Sequence, residues 1–298
     1  MDQTSLEAIR QTGNGLRDEV NARLEQLLPD SMRQPTHLHQ AMRHAMFGGG
    51  KRIRPVLCVL VAEASGGKNR PLALEAGCAI EMVHTASLIL DDLPSMDDAT
   101  LRRGQPTTHM RFGEATAILA AIGLLNRAFS VVAEYPTNNP DLQVKILEVL
   151  SHAIGSDGMI AGQEIDLHQR AAYSEAAPIE NLNWLKTGVL FVASAHIGAI
   201  CGELGPERVD AVKQFAKHVG IAFQTADDLV DQTSTPQTAG KNVHQDDGIP
   251  TLVTLCGRRA ARQTCQDHLH QADDALQRSG VNPRGLQGLV QAIFASRL

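Results

Sequence analysis

Aromatic residues are scarce in this chain: Phe, Trp and Tyr make up 3% of 298 residues, with one Trp and two Tyr. Chains rich in β-sheet draw on aromatic and β-branched residues, so this scarcity beside plentiful Ala and Leu points to helices. Cysteine is sparse as well. The five residues Cys58, Cys78, Cys201, Cys256 and Cys265 include no C-x-x-C pair. An odd number without framework spacing excludes a disulfide scaffold and reads as reduced thiols in a cytoplasmic protein. Positive charge is in deficit, with a formal net charge of −6, which argues against the basic face of a nucleic-acid binder. The segment MDQTSLEAIRQTGNG has no apolar signal core. The long apolar stretch ATAILAAIGLLNRAFSVVA carries Asn126 and Arg127, costly groups in a bilayer, so it reads as a buried helix of a soluble protein rather than a membrane anchor. Strand-like alternation with hairpin turns and short-period repeats are both missing.

What remains is helix and punctuation. LHQAMRHAMFGGG stops at three glycines, and RPVLCVLVAEASGG opens with proline in its first turn and ends at glycines. Residues 71–92, 113–134, 141–155, 157–170, 180–203, 206–231, 257–279 and 284–296 read as further helices. The breaks EYPTNNPD, AAYSEAAP, GELGPE and SGVNPRG are compact turns. The simplest account is one all-α domain, residues 1–298, of about ten or more helices. The longest irregular stretch, residues 232–250, follows an acidic motif, and long loops in compact domains are often functional. The final SRL matches a peroxisomal address, but three residues match by chance too easily to displace the cytoplasmic reading.

The chemistry lies in two acidic motifs. DDLPSMDDATLRRG places Asp91, Asp92, Asp97 and Asp98 ahead of Arg102 and Arg103. FQTADDLVD places Asp227 and Asp231 on one helical face, with Asp228 about 100° round the axis. A single acidic helix face is usually solvated. Here both clusters follow apolar runs, TASLIL and VGIAFQTA, so their helices are packed and the acids line a cleft. Oxygen-only donors suit Mg²⁺, Mn²⁺ or Ca²⁺ rather than zinc, and the EF-hand spacing is lacking. Mg²⁺ held by few carboxylates completes its shell with water and substrate phosphate. Lys51, Arg52 and Arg54 in GGGKRIRP, Arg102 and Arg103, Lys186 and Thr187 in LKTG, and Lys241 in AGK supply partners for phosphate. GGGKRIRP is not a P-loop, so nothing points to a nucleotide.

GGGKRIRP, HTASLILDDLPSMDDATLRRGQPTTH, GQEIDL, LKTG, FQTADDLVD and AGK together resemble the trans-isoprenyl diphosphate synthases, the polyprenyl synthetase family. Within it the resemblance is strongest to bacterial geranylgeranyl diphosphate synthases. The resemblance implies an all-helical isoprenoid synthase fold around a deep central cavity, a homodimer, and up to three Mg²⁺, with Mn²⁺ as the alternative ion. It implies a metal set of Asp91, Asp92, Asp97, Asp227 and Asp231, with Asp91, Asp97 and Asp227 as direct ligands and Asp228 completing the second motif. Arg102, Lys186, Thr187, Gln224 and Lys241 would hold the allylic diphosphate. Lys51, Arg54, His84 and Arg103 would hold isopentenyl diphosphate, with Gln163 and Asp166 near the reacting carbons.

Ala86 and Ser87 lie one helical turn before the acids. In the resembling family a Tyr or Phe there stops growth at fifteen carbons, so small residues imply a twenty-carbon product. One departure stands out. Where the family carries a lysine after the second motif, this chain has Ile249 followed by Pro250, one charge-assisted contact fewer. A farnesyl diphosphate synthase and a non-catalytic modulatory subunit are the alternatives. A terpene cyclase ranks low, because the second motif is D-D-x-x-D and pocket-lining aromatics are few.

Overall fold

The computed structural model describes residues 3–231, 250–295 and 297, with side chains for 14–230 within the first span. In chain order it runs α1 (Gln3–Leu27), α2 (Thr36–Phe47), α3 (Ile53–Ala64), α4 (Arg70–Asp91), β1 (Leu101–Arg102), β2 (Gln105–Pro106), α5 (Thr108–Phe112) and α6 (Glu114–Ala133). It continues through α7 (Pro140–Ile154), α8 (Met159–His168), α9 (Ala176–Asn183), α10 (Val189–Cys201), α11 (Pro206–Asp231), α12 (Leu252–Cys256), α13 (Arg258–Ser279) and α14 (Arg284–Phe294). The all-α reading holds. Helix α2 stops where Gly49 and Gly50 turn to φ 111° and 130°, and α3 stops before Gly66 and Gly67 at φ 109° and 70°. No side chain but glycine enters these conformations cheaply.

Helices α3, α4 and α10 fill the middle because they are apolar nearly all round. One core gathers α4 residues such as Ile80, Met82 and Val83 with Leu124, Val132, Ile146 and Leu150. A second gathers Val56, Leu57 and Val59 of α3 with Phe191, Phe215, Leu276 and Leu286. Helices α3 and α10 contribute to both, so the two cores share a wall. Buried among them, Arg52 pairs with Glu81 at 2.7 Å, and both side chains are 3% exposed. The sequence grouped Arg52 with the phosphate-facing cations. The structure turns it inward, where its guanidinium also donates to the Met46 carbonyl and to Asn21.

Four expectations change. The segment read as one helix, 180–203, is interrupted by a π-helical turn, Trp184–Gly188, and begins at Ala176. The segment read as 257–279 is preceded by a separate short helix, because Gly257 at φ 82° breaks the run. Leu101–Arg102 and Gln105–Pro106 pair as a small antiparallel hairpin where no strand was expected. Its turn residues Arg103 and Gly104 have φ 53° and 76°, the positive pair of a type I′ turn. Finally, α6 is less buried than its composition suggested. Ile118, Leu119 and Ile122 are 40%, 56% and 56% exposed. By length and apolarity α4, α6 and the Ala176–Cys201 stretch would each suffice to cross a membrane, but α4 is mostly enclosed by protein.

Candidate active site

Helix α4 ends at Asp91, where the backbone dipole is negative, and Asp227 and Asp228 lie near the last described residues of α11. Carboxylates there are stable only with cations beside them. The turn after α4 folds back, with the Asp97 amide donating to the Asp91 carbonyl at 2.9 Å and the Ala99 amide to the Asp92 carbonyl at 3.2 Å. This return puts Asp97 beside Asp91.

Asp91 is a meeting point. Gln163 Nε2 donates to its Oδ1 at 2.7 Å, and Lys186 Nζ to the same oxygen at 3.3 Å. Lys186 also donates to Asp166 Oδ2 at 2.5 Å, and Arg170 Nη1 to Asp166 Oδ1 at 3.1 Å. Against the cost of its burial, Asp91 and Asp166 hold the Lys186 pKa above the usual lysine value. Asp97 is pushed up to about 6, first by burial and then by the Asp91 and Asp166 charges. Asp91, Asp97 and Asp166 thus crowd round the single ammonium of Lys186.

Asp92 faces another way. It is buried, and Arg102 grips its Oδ1 through Nε at 2.7 Å and Nη2 at 2.6 Å, while Arg102 Nη2 stands 4.0 Å from Asp91. Asp92 therefore sets the direction of Arg102. The hairpin turn sends neighbouring Arg103 to the opposite side, where it donates to the Gly49 carbonyl. Gly50 lies against this guanidinium: a Cβ there would fall 2.7 Å from Arg103 Nη1, at the movable end of the side chain.

The π turn joins the two motifs. Adjacent side chains on a helical turn diverge by about 100°, and here Lys186 reaches the first motif while Thr187 reaches the second. Thr187 Oγ1 donates to Gln224 Oε1 at 3.1 Å, and Gln224 Nε2 to Asp228 Oδ1 at 2.9 Å. Gly162 lets α8 close on this turn, since a Cβ there would sit 2.4 Å from the Lys186 backbone nitrogen. Isolated π turns inside helices are frequent at functional sites.

A third group is cationic. Arg54 is buried, its guanidinium lies 4.8 Å from the Phe191 ring centre, and its Nε has no hydrogen-bond partner. Burial, with Arg103 adding repulsion and Glu81 opposing it, lowers its pKa to about 10. Burial also lowers Lys51 and Arg103. His84 is held well below its ordinary value by burial and then by Arg54, Arg103, Arg102 and Arg52. Crowded cations with depressed pKa values and an unsatisfied buried N–H are a site suited to an anion. Ala86 is buried, and Ser87 donates to the His84 carbonyl at 2.8 Å.

A family model described as polyprenyl synthetase matches residues 35–281. The chain belongs to the polyprenyl synthetase family. A geranylgeranyl diphosphate synthase of Pantoea ananas is 40% identical over 291 residues, 97% of this chain and 95% of that protein. A farnesyl diphosphate synthase of Geobacillus stearothermophilus is 37% identical over 268 residues, 88% of this chain and 89% of that protein. A crystal structure of a Helicobacter pylori geranyltransferase, complexed with magnesium and isoprenyl diphosphate, matches with a TM-score of 0.86 at 26% identity and covers 99% of both chains. The resemblance read from the motifs is borne out, and the chain is a prenyltransferase of the polyprenyl synthetase family.

Several expected residues of this polyprenyl synthetase fall outside the description. The Asp231 side chain, Lys241, Ile249, Ser296 and Leu298 lie beyond the described residues. Two residues in the site escaped the motifs. Arg170 bridges Asp166 to the Pro250 carbonyl at 3.0 Å, and its place four residues after Asp166 was a readable signal. Arg297 pairs with Asp227 at 2.9 Å, and no local pattern announces it.

Proposed function

We propose that this prenyltransferase is a geranylgeranyl diphosphate synthase. It would condense isopentenyl diphosphate head-to-tail with dimethylallyl, geranyl or farnesyl diphosphate. The observation that carries the reading is geometric: Gln163 and Lys186 meet on the Asp91 carboxylate with Asp166 on the same lysine, and a separate cationic group holds buried Arg54 with an unpartnered Nε. Two diphosphate substrates can share them, the allylic one at the acidic group and isopentenyl diphosphate at the cationic one.

The donor set fits a hard divalent ion. Among the described residues no three His, Cys, Asp or Glu side chains already converge on one point. The carboxylates gathered here offer hard oxygen donors, and each site would be completed by substrate phosphate. Asp91, Asp97 and Asp227 would be the direct ligands of up to three Mg²⁺, or of Mn²⁺, with Asp92 and Asp231 in support. When bound, Mg²⁺ supplies electrostatic stabilisation of the diphosphate as it leaves.

The chain's own residues do the rest. Lys186, Arg102, Thr187, Gln224 and Lys241 hold the allylic diphosphate and stabilise the charge it gains when the allylic C–O bond breaks. Lys51, Arg54, Arg103 and neutral His84 hold isopentenyl diphosphate so that its terminal alkene carbon meets the allylic carbocation. The proton then lost goes to the departing diphosphate. Gln163 and Asp166 fix Lys186 and Asp91 beside the reacting carbons, and apolar walls exclude water. Small side chains at Ala86 and Ser87 support growth to four isoprene units. The Pantoea ananas relative supports this product. The Geobacillus stearothermophilus relative favours the second reading, a fifteen-carbon product.

We further infer one domain over residues 1–298, supported by the helices common to both cores, and a cytoplasmic place, supported by five unpaired cysteines. The exposed Ile118, Leu119 and Ile122 support a homodimer through α6. The chemistry is tested by replacing Lys186 with alanine and Asp91 with asparagine. Each should cut turnover with isopentenyl and farnesyl diphosphates at least a hundredfold, and chelation should abolish it. Turnover insensitive to all three would refute the reading.

A further inference from the structure

Arg297 is built into the site. Arg297 Nη2 lies 2.9 Å from Asp227 Oδ1, its guanidinium is 4.3 Å from the centre of the Phe223 ring, and Nη1 donates to the Ile293 carbonyl at 3.2 Å. Phe223 and Asp227 are four apart on α11 and share a face. Ring and carboxylate thus form a two-part seat, apolar below and anionic beside. Arg297 is only 11% exposed in it, while Asp227 is 37% exposed. Helix α14, which delivers the arginine, packs on α1, α3 and α11, so its position is fixed by the fold. Lys51 is close enough for Arg297 to help depress its pKa, after burial.

Asp227 cannot serve two cations equally. Mg²⁺ and Mn²⁺ demand short carboxylate bonds, about 2.0–2.1 Å for magnesium, and an ion on that oxygen would repel a guanidinium 2.9 Å from it. We propose that Arg297 is an exchangeable positioning residue of the second aspartate motif: it holds the Asp227 carboxylate before divalent metal binds and gives the carboxylate up when metal arrives. The inference rests on the metal-dependent reading above. Its consequence is that Arg297 opposes metal entry. Removing it strengthens metal binding by about 2- to 5-fold, the worth of a partly exposed ion pair.

The test is Mn²⁺ binding to the full-length protein without substrate, followed by the electron paramagnetic resonance signal of free Mn²⁺. Arg297→Gln should bind Mn²⁺ about 2- to 5-fold more tightly than wild type, and Arg297→Lys should return toward wild type. In an Asp227→Asn background the Arg297→Gln gain should vanish, since the coupling runs through that carboxylate. A purely structural arginine would not yield tighter metal binding when lost. Equal or weaker binding by Arg297→Gln, or a gain that survives Asp227→Asn, overturns the inference while leaving prenyl transfer by the wild type intact. Failure of the wild type to bind Mn²⁺ without substrate overturns this inference alone if prenyl transfer persists, and the metal-dependent reading with it if transfer fails too.

Discussion

Replacing Gly162 with alanine probes how the two motifs are held in register. An alanine Cβ would fall 2.4 Å from the Lys186 nitrogen and 2.7 Å from both Leu185 C and Lys186 Cα. All three are backbone atoms, so no rotamer change relieves the clash. Non-bonded carbons rest about 3.5–4.0 Å apart, which requires α8 to retreat from the π turn by about 1 Å. Gln163 and Asp166 ride on α8. Their contacts to Asp91 and Lys186, now 2.7 and 2.5 Å, would stretch to about 3.5 Å or more, beyond useful hydrogen bonding. Overpacking of this kind costs about 1–3 kcal/mol, partly offset by the roughly 0.5–1 kcal/mol that alanine ordinarily gains over glycine in a helix. Turnover should suffer more than stability, because a misplacement of about 1 Å can cost about a hundredfold in rate. The assay pairs steady-state condensation of isopentenyl and farnesyl diphosphates with a thermal melt. Gly15→Ala is the control. It lies in α1 with nothing within 4 Å of the added carbon and should stabilise by about 0.4–1 kcal/mol with normal turnover. Wild-type turnover in Gly162→Ala would refute the claim that the glycine sets the α8 position.

Three further outcomes follow from the same geometry. Glu81→Ala strands the buried Arg52 charge and should cost about 3–5 kcal/mol in urea unfolding, while the double replacement Arg52→Met, Glu81→Leu should recover much of it. His218 and His268 stack with Nδ1 atoms 2.9 Å apart, and burial first, then mutual repulsion for His218, holds both pKa values below the ordinary one. Their folded pKa lies below the unfolded value, so the unfolded chain binds more protons. Stability is therefore lost as pH falls below about 6.5, and His268→Gln should flatten the urea midpoint between pH 7.5 and 5. Ala86→Tyr should shorten the product to fifteen carbons on chromatography, and an unchanged length would discard the floor model.

The helices and the acid motifs were legible because glycine, proline and apolar periodicity are local signals, and because Asp91 and Asp227 each follow an apolar run. The π turn was not, since one widened turn leaves the apolar pattern of residues 184–201 nearly unchanged. Arg52 was misread because it stands between two site-facing cations and only its positive φ of 52° turns it toward Glu81. The hairpin at Arg103–Gly104 lacks the Asn-Gly or Asp-Gly pair that would have announced it. Arg297 was invisible for a different reason. It is 70 residues from Asp227, and only the packing of α14 brings them together.

Product sizing tests the central claim most directly. The protein would be incubated with Mg²⁺, labelled isopentenyl diphosphate and, separately, five-, ten- and fifteen-carbon allylic diphosphates, and the dephosphorylated products separated by chain length. A twenty-carbon alcohol is expected from each primer. A fifteen-carbon limit would contradict the chain-length assignment at Ala86 and Ser87, and no elongation of any primer would contradict the proposed catalytic function itself.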